Sequence, residues 1–362
     1  MVKRFLAKTA LVLSSILFTL GAFDLTVYLF PRQLLPGPLR NLVFLMDGDT
    51  YYVKDPPIGS MIRPHTDYVF PGEEFSFRIQ TRLNFPNTGF RGGTLGGPAW
   101  GAAFGDSFTF GAGVDQEATW VAQLSRLTNR EIINFGVPGH GPHQYTRIFQ
   151  KYGVGLRPKV VFYALFSNDL KDGVRFEAPQ ANRRQRMTAK RFMKRYSASY
   201  NILNNVSRSF RKRWTHERRN TIGLKLLDRR LRDPYGIADR KFASAWAGIA
   251  RQIENAHDES KRINATFVLL YFPQKEEVYW ELAKERIESI GVFKERVDRL
   301  RKTIVAFCGA RDLLCFDLTP TLKARGLRGE IFYFPVDIHW NENGNRLVAQ
   351  EIYRFLLEKK LI

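Results

Sequence analysis

The chain has 362 residues, of which 44% are apolar and 14% aromatic; this excludes a disordered or collagen-like polymer and supplies a sizeable core. A formal net charge of +21 points to an anionic partner: nucleic acid, an anionic membrane surface or an acidic polymer. Two cysteines exclude a disulfide-rich scaffold and a four-Cys zinc site, and the sequence holds no HExxH, CxxC, Walker-type loop or GxGxxG.

Met1-Val2-Lys3-Arg4 precedes an apolar stretch, Phe5 to Phe23, broken only by Lys8. Nineteen helical residues reach roughly 29 Å, close to the hydrocarbon thickness of a bilayer. The basic end stays cytoplasmic, so the rest of the chain is expected across the membrane. A retained anchor over 1–30 is favoured over a cleaved signal peptide. Leu20 is a poor −3 residue for cleavage, and the chain stays apolar through Phe30. Either way the folded part is exported, which sets nucleic acid aside as a partner.

Residues 31–96 are rich in Pro and Gly, with short aromatic runs such as Tyr68-Val69-Phe70 and Phe75-Ser76-Phe77. They predict a small β-rich lead-in. From residue 97 to 362 the pattern changes. Apolar runs at Trp100–Phe104, Ile132–Phe135, Val160–Phe166, Phe267–Phe272 and Leu313–Phe316 predict strands buried on both faces. Helical stretches separate them. One carries Trp120, Val121, Leu124 and Leu127 on one face, with Asp115 placed to cap; the last spans 341–359. The alternation predicts a doubly wound α/β sheet with ligands at the C-terminal strand ends.

About a hundred residues between the third and fourth strands are too many for one crossover. Within them, 183–232 holds seventeen Lys or Arg against Glu217 and Asp228, alternating with Phe192, Met193, Tyr196, Phe210 and Trp214. This predicts a basic helical insertion at about 175–236, either lying on anionic lipid or polymer, or merely solvated.

Four segments carry chemistry. Gly105-Asp106-Ser107 places a serine on the turn from the first strand into a helix, where free N–H donors face an oxyanion. Gly136, after the second strand, lets a backbone N–H approach a substrate oxygen; Asn168, after the third, can aim a side-chain N–H at the same atom. Asp337-Ile338-His339-Trp340 supplies a base for the serine and a carboxylate to orient that base.

In this order the blocks resemble the SGNH (GDSL-type) hydrolase superfamily, over about residues 97–359. The resemblance implies a flavodoxin-like sheet and a Ser-His-Asp mechanism without cofactor or metal. It implies Ser107 as nucleophile, His339 as general base and Asp337 as its orienter. The oxyanion hole would be the N–H of Ser107, the N–H of Gly136 and the Asn168 side chain. Two departures stand out. Phe166 takes the usual Gly place of the third block and is expected to narrow the acyl pocket. The Asp-x-His-Trp form is similar to SGNH-like O-acetyltransferases of bacterial exopolysaccharide systems, although there the Asp-His pair precedes the Ser. Trp340 either stacks on a sugar or packs its loop.

Other residues invite competing readings. His140 and His143 are expected to shape the cleft rim rather than hold a metal. Asp106 and Asp169 are expected to hold the Ser and Asn loops. Arg91 reaches an anionic substrate group or makes a structural ion pair. Cys308 and Cys315 are either bridged or two buried thiols. The expectation is a bacterial inner-membrane protein, single-pass, with its catalytic domain periplasmic or extracellular. It would cleave an acyl ester, of a carbohydrate among other alcohols. The alternatives are an O-acyltransferase working with a membrane-bound acyltransferase partner, and a non-catalytic binding subunit of the same fold.

Overall fold

The structure, a computed structural model, describes residues 2–30, 51–71, 74–92, 99–177, 189–204, 207, 224, 226, 237–283 and 290–362. The chain forms two compact units, Met1–Thr50 with Gln180–Glu217, and Tyr51–Pro179 with Arg218–Ile362.

In the first unit, α1 (Val2–Leu29) exposes Leu11, Leu17 and Phe18 rather than packing them. Four of its hydroxyls bond back to the helix itself. Thr9, Ser15, Thr19 and Thr26 each donate to the carbonyl four residues back, at 2.8–3.0 Å. The 23 residues Ala7–Leu29 are long and apolar enough to cross a membrane, reaching ~34 Å at 1.5 Å each. Asp24, the one acid in this stretch, accepts from the Ser199 N–H (2.8 Å) and Oγ (3.0 Å). Residues 189–196 form a basic helix; the expected insertion otherwise lies mostly outside the described residues, as do 31–50 of the lead-in.

The second unit begins with three antiparallel hairpins: β1 (Tyr52–Asp55) with β2 (Gly59–Ile62), β3 (Asp67–Pro71) with β4 (Ser76–Gln80), and β5 (Leu83–Phe85) with β6 (Thr88–Phe90). Next come β7 (Gly101–Phe104), α2 (Ser107–Phe110), α3 (Trp120–Thr128), β8 (Ile132–Asn134), α4 (Pro142–Ile148), β9 (Val160–Phe166) and α5 (Asp169–Glu177). The rest is α6 (Phe242–Arg262), β10 (Thr266–Phe272), α7 (Lys275–Val278), α8 (Ile290–Arg311), β11 (Leu314–Asp317), α9 (Thr319–Gly326) and α10 (Glu342–Glu358).

Strands β7 to β11 form one parallel sheet in the order β11-β10-β9-β7-β8. This is the expected doubly wound, flavodoxin-like arrangement. Strand periodicity assigns the two faces. Phe162, Ala164 and Phe166 of β9 join Val268, Leu270 and Phe272 of β10 in a core with Trp120 and Leu124 of α3 and Ile352 and Phe355 of α10. The alternate residue Tyr163 packs on Tyr145 of α4 (5.5 Å between ring centroids) and Phe267. The order reverses between β7 and β9, so the turns leaving β7, β8 and β9 open at one edge of the sheet.

Local capping differs from expectation at one helix. Thr119, not Asp115, caps α3, its Oγ1 accepting from the Ala122 N–H at 3.2 Å. The Asp115 carboxylate instead accepts from the Arg78 N–H in β4. Leu127, expected on the buried face, is 41% exposed because Asn129 ends the helix in the left-handed conformation two residues later. Cys308 and Cys315 are bridged, with Cα atoms 6.3 Å apart, tying the end of α8 to β11.

Candidate active site

Gly105 follows β7 and leads into α2. A Cβ there would lie 2.1 Å from Thr109 Oγ1, so the turn admits only glycine. Asp106 caps α2 by accepting from the Phe108 N–H at 2.9 Å, which puts Ser107 at the first helical position. The Ser107 N–H has no partner among the described residues.

Ser107 Oγ lies 2.7 Å from His339 Nε2, and His339 Nδ1 lies 2.6 Å from Asp337 Oδ1. The network thus assigns the proton to Nδ1, leaving Nε2 to accept from the serine hydroxyl. The His339 backbone N–H also donates to Asp337 Oδ1, at 2.9 Å. Burial pushes the Asp337 carboxyl up, but the His339 hydrogen bonds and charge, with Lys275 nearby, outweigh it and hold it below the usual range. The imidazole rests on Phe108, with 5.1 Å between ring centroids.

The loop after β8 departs from expectation. The Gly136 N–H does not face a substrate; it donates to Asn134 Oδ1 at 2.9 Å. Asn134 is fully buried and its Nδ2 donates to Thr109 O at 2.7 Å, so it staples this loop to α2. Gly136 is glycine for packing, since a Cβ would meet Phe110 N at 2.2 Å. Gly139, three residues on, has a φ of +75° and open space where a side chain would project, and its N–H has no partner among the described residues. Two glycines at this spacing are the available signal in the sequence; only the side chain of Asn134 decides which N–H is free.

Asn168 follows β9 and donates one Nδ2 hydrogen to Asp172 Oδ2 at 3.1 Å, leaving the second hydrogen of that nitrogen for an oxyanion. Asp169 accepts from the Phe166 N–H (2.9 Å) and the Tyr145 hydroxyl (2.7 Å), fixing the turn that presents Asn168. Burial, with Asp106 and Asp172 close by, raises its pKa well above the carboxylate range.

Both residues expected to bind substrate are interior. Trp340 is 1% exposed, packed edge-on against Phe108 (4.9 Å) and Phe272 (4.7 Å), and offers no face to a sugar. Phe166 is 3% exposed and packs on Phe108 with 4.2 Å between ring centroids, so it backs the site rather than lining it. Arg91 makes no ion pair among the described residues. Its guanidinium is fully buried and donates to the carbonyls of Arg78, Phe110, Gly111 and Val114 at 2.8–2.9 Å. Burial pulls its pKa down to about 10, with Asp115 and Glu117 opposing. His140 donates to Ser60 O at 2.6 Å, joining the loop after β8 to β2. His143 is buried against Phe176. A 590 Å³ cleft lined by Arg82, Gln116, Arg126 and Glu131 contains none of the relay residues.

Two residues at the site carry no signal in the sequence. Lys275 and Glu74 both bond the backbone of the loop that carries Asp337.

No curated protein matches the sequence. Among solved structures, the chain is similar to the acetyl xylan esterase AlAXEase, with 14% identity, 70% of this chain and 98% of that chain covered, and a TM-score of 0.39. A catalytic mutant of Axe2, an acetylxylan esterase from Geobacillus stearothermophilus, gives 13% identity, 72% and 94% coverage and a TM-score of 0.39. TesA gives 14%, 70% and 96%, and 0.38. Residues 103–347, more than half the chain, match the GDSL-like lipase/acylhydrolase family, and the protein belongs to that family of SGNH serine hydrolases.

Proposed function

We propose that this protein is a membrane-anchored, extracytoplasmic carboxylic ester hydrolase that cleaves short acyl esters, acetyl above all, through an acyl-enzyme on Ser107. The observation that carries the reading is the unbroken relay from Ser107 Oγ through His339 to Asp337. Ser107 attacks the ester carbonyl as His339 Nε2 takes its proton, and Asp337 stabilises the imidazolium. The carbonyl oxygen becomes an oxyanion facing the N–H groups of Ser107 and Gly139 and the free Nδ2 hydrogen of Asn168. His339 returns the proton to the departing alkoxide. Water, deprotonated by the same nitrogen, then releases the acid and restores Ser107. No cofactor takes part in these steps.

The Phe108–Phe166 pair packed beside the imidazole supports a shallow acyl site, in keeping with a short chain. Transfer to a sugar would rest on Trp340 as a stacking surface, and its burial removes that support. An assembled relay likewise supports catalysis over mere binding.

The anchor reading rests on Lys3-Arg4 ahead of the apolar span of α1 and on the internal hydrogen bonds of Thr9, Ser15, Thr19 and Thr26, which suit a lipid setting. The basic helix 189–196, whose Phe192 and Met193 are exposed, would lie on anionic lipid. In the test, a fluorophosphonate probe labels the wild-type chain but not Ser107→Ala, and hydrolysis of p-nitrophenyl acetate falls by several orders of magnitude. Near-native turnover by Ser107→Ala would end the reading.

A further inference from the structure

The loop between Tyr333 and Trp340 carries both Asp337 and His339, yet it pairs with its own backbone sparsely. The two flanking residues bridge as a short antiparallel pair, and the Phe334 N–H donates to His339 O at 3.0 Å. Backbone donors and acceptors away from water must find partners. Here two side chains of opposite charge, distant in the sequence, supply them.

Lys275, the first residue of α7, is fully buried. Its ammonium lies 2.8 Å from Asp337 O, 3.1 Å from Phe334 O, 3.3 Å from Pro335 O and 3.4 Å from Val336 O. Glu74, just ahead of β4, approaches the same loop through its amides. Its two carboxylate oxygens accept from the N–H groups of Val336 and Asp337, each at 2.6 Å. Beside it, Phe75 packs on Phe334 with 4.5 Å between ring centroids. Asp337 is thus held by its carbonyl from one element and by its amide from another.

We propose that Lys275 and Glu74 are positioning residues that clamp the backbone of this loop and so set where Asp337 meets His339 and where His339 meets Ser107. The inference rests on the Ser107 hydrolase reading for its catalytic consequence, but not for its structural content. A lysine fits the carbonyl side because its ammonium donates three hydrogen bonds and accepts none. A carboxylate fits the amide side because it presents two acceptors to two neighbouring N–H groups. Neither residue touches the reacting atoms. Their effect passes through loop geometry, to which catalysis is sensitive: a 1 Å misplacement costs roughly 10²-fold in rate.

The test uses the full chain in detergent micelles. Wild type, Lys275→Met and Glu74→Gln are compared by kcat and KM on p-nitrophenyl acetate. The low-field proton resonance of the His339 Nδ1–H, which reports the bond to Asp337, is followed in parallel. Both variants should unfold cooperatively, lose roughly 10–10²-fold in kcat with little change in KM, and shift or broaden the low-field resonance. A folded Lys275→Met chain with kcat and resonance unchanged would overturn the proposal. So would a lowered kcat with an unmoved resonance. Should Lys275→Met fail to fold, the partly exposed Glu74→Gln decides by the same two readings. A wild-type chain without esterase activity would defeat the hydrolase reading, while the resonance would still test the clamp.

Discussion

Asp337→Asn separates the geometry of the relay from its charge. Asp337 Oδ1 accepts two hydrogen bonds, from the His339 backbone N–H at 2.9 Å and from Nδ1 at 2.6 Å. An asparagine here satisfies both donors only by turning its amide oxygen toward them. The backbone N–H therefore keeps Nδ1 protonated and Nε2 free to accept from Ser107. An amide that instead turns its NH₂ to the ring traps the wrong tautomer, at a cost of ~10⁴ in kcat. In this chain the loss should be one of charge alone. A hydrogen bond to an ionised group contributes about 1.5–3 kcal/mol, against about 0.5–1.5 for a neutral pair. The difference, about 1–1.5 kcal/mol, corresponds to roughly 5–13-fold in kcat. Asp337→Ala, which removes the acceptor, should lose ~10³-fold or more. Initial rates on p-nitrophenyl acetate across pH, with the full chain in detergent, measure both. Equal losses of ~10⁴ for Asn and Ala would refute the argument that the backbone N–H fixes the orientation.

Three further outcomes concern groups outside the relay. Burial pulls the His140 pKa from 6.5 down to about 4, against the Ser60 hydrogen bond. Between those values the unfolded chain binds a proton that the folded chain refuses, so this contribution is complete above pH 6.5 and falls by up to ~3 kcal/mol toward pH 4. His140→Gln, still able to donate to Ser60, should flatten that slope in urea titrations; an unchanged slope would count against it. Arg91→Met strands four carbonyls and should cost about 4 kcal/mol or more in urea unfolding, whereas a loss under ~1 kcal/mol would show that water replaces the guanidinium. Cys308 and Cys315 should resist alkylation until reduced, by mass spectrometry, and Cys308→Ser with Cys315→Ser should cost about 2–3 kcal/mol for so short a loop.

The sheet is legible because strands buried on both faces appear as short apolar runs, and the observed strands fall within a residue or two of them. The relay is legible for a chemical reason, since serine, histidine and aspartate at strand ends have few other uses together. What the sequence hides are polar partners chosen by reach in three dimensions. Glu74 and Val336 are 262 positions apart, and a glutamate in a Pro- and Gly-rich stretch reads as solvated. Lys275, after an apolar run and Pro273-Gln274, reads the same way, yet its ammonium is enclosed by the loop it serves. Trp340 sits among polar neighbours in the sequence and reads as exposed; Phe108, Phe272 and Tyr333, from three distant segments, cover it. Periodicity reports burial against a layer, because layers repeat every 2 or 3.6 residues. A loop has no period, and its backbone must still be paired. The catalytic loop can therefore be found from the residues it carries, but not the residues that hold it still.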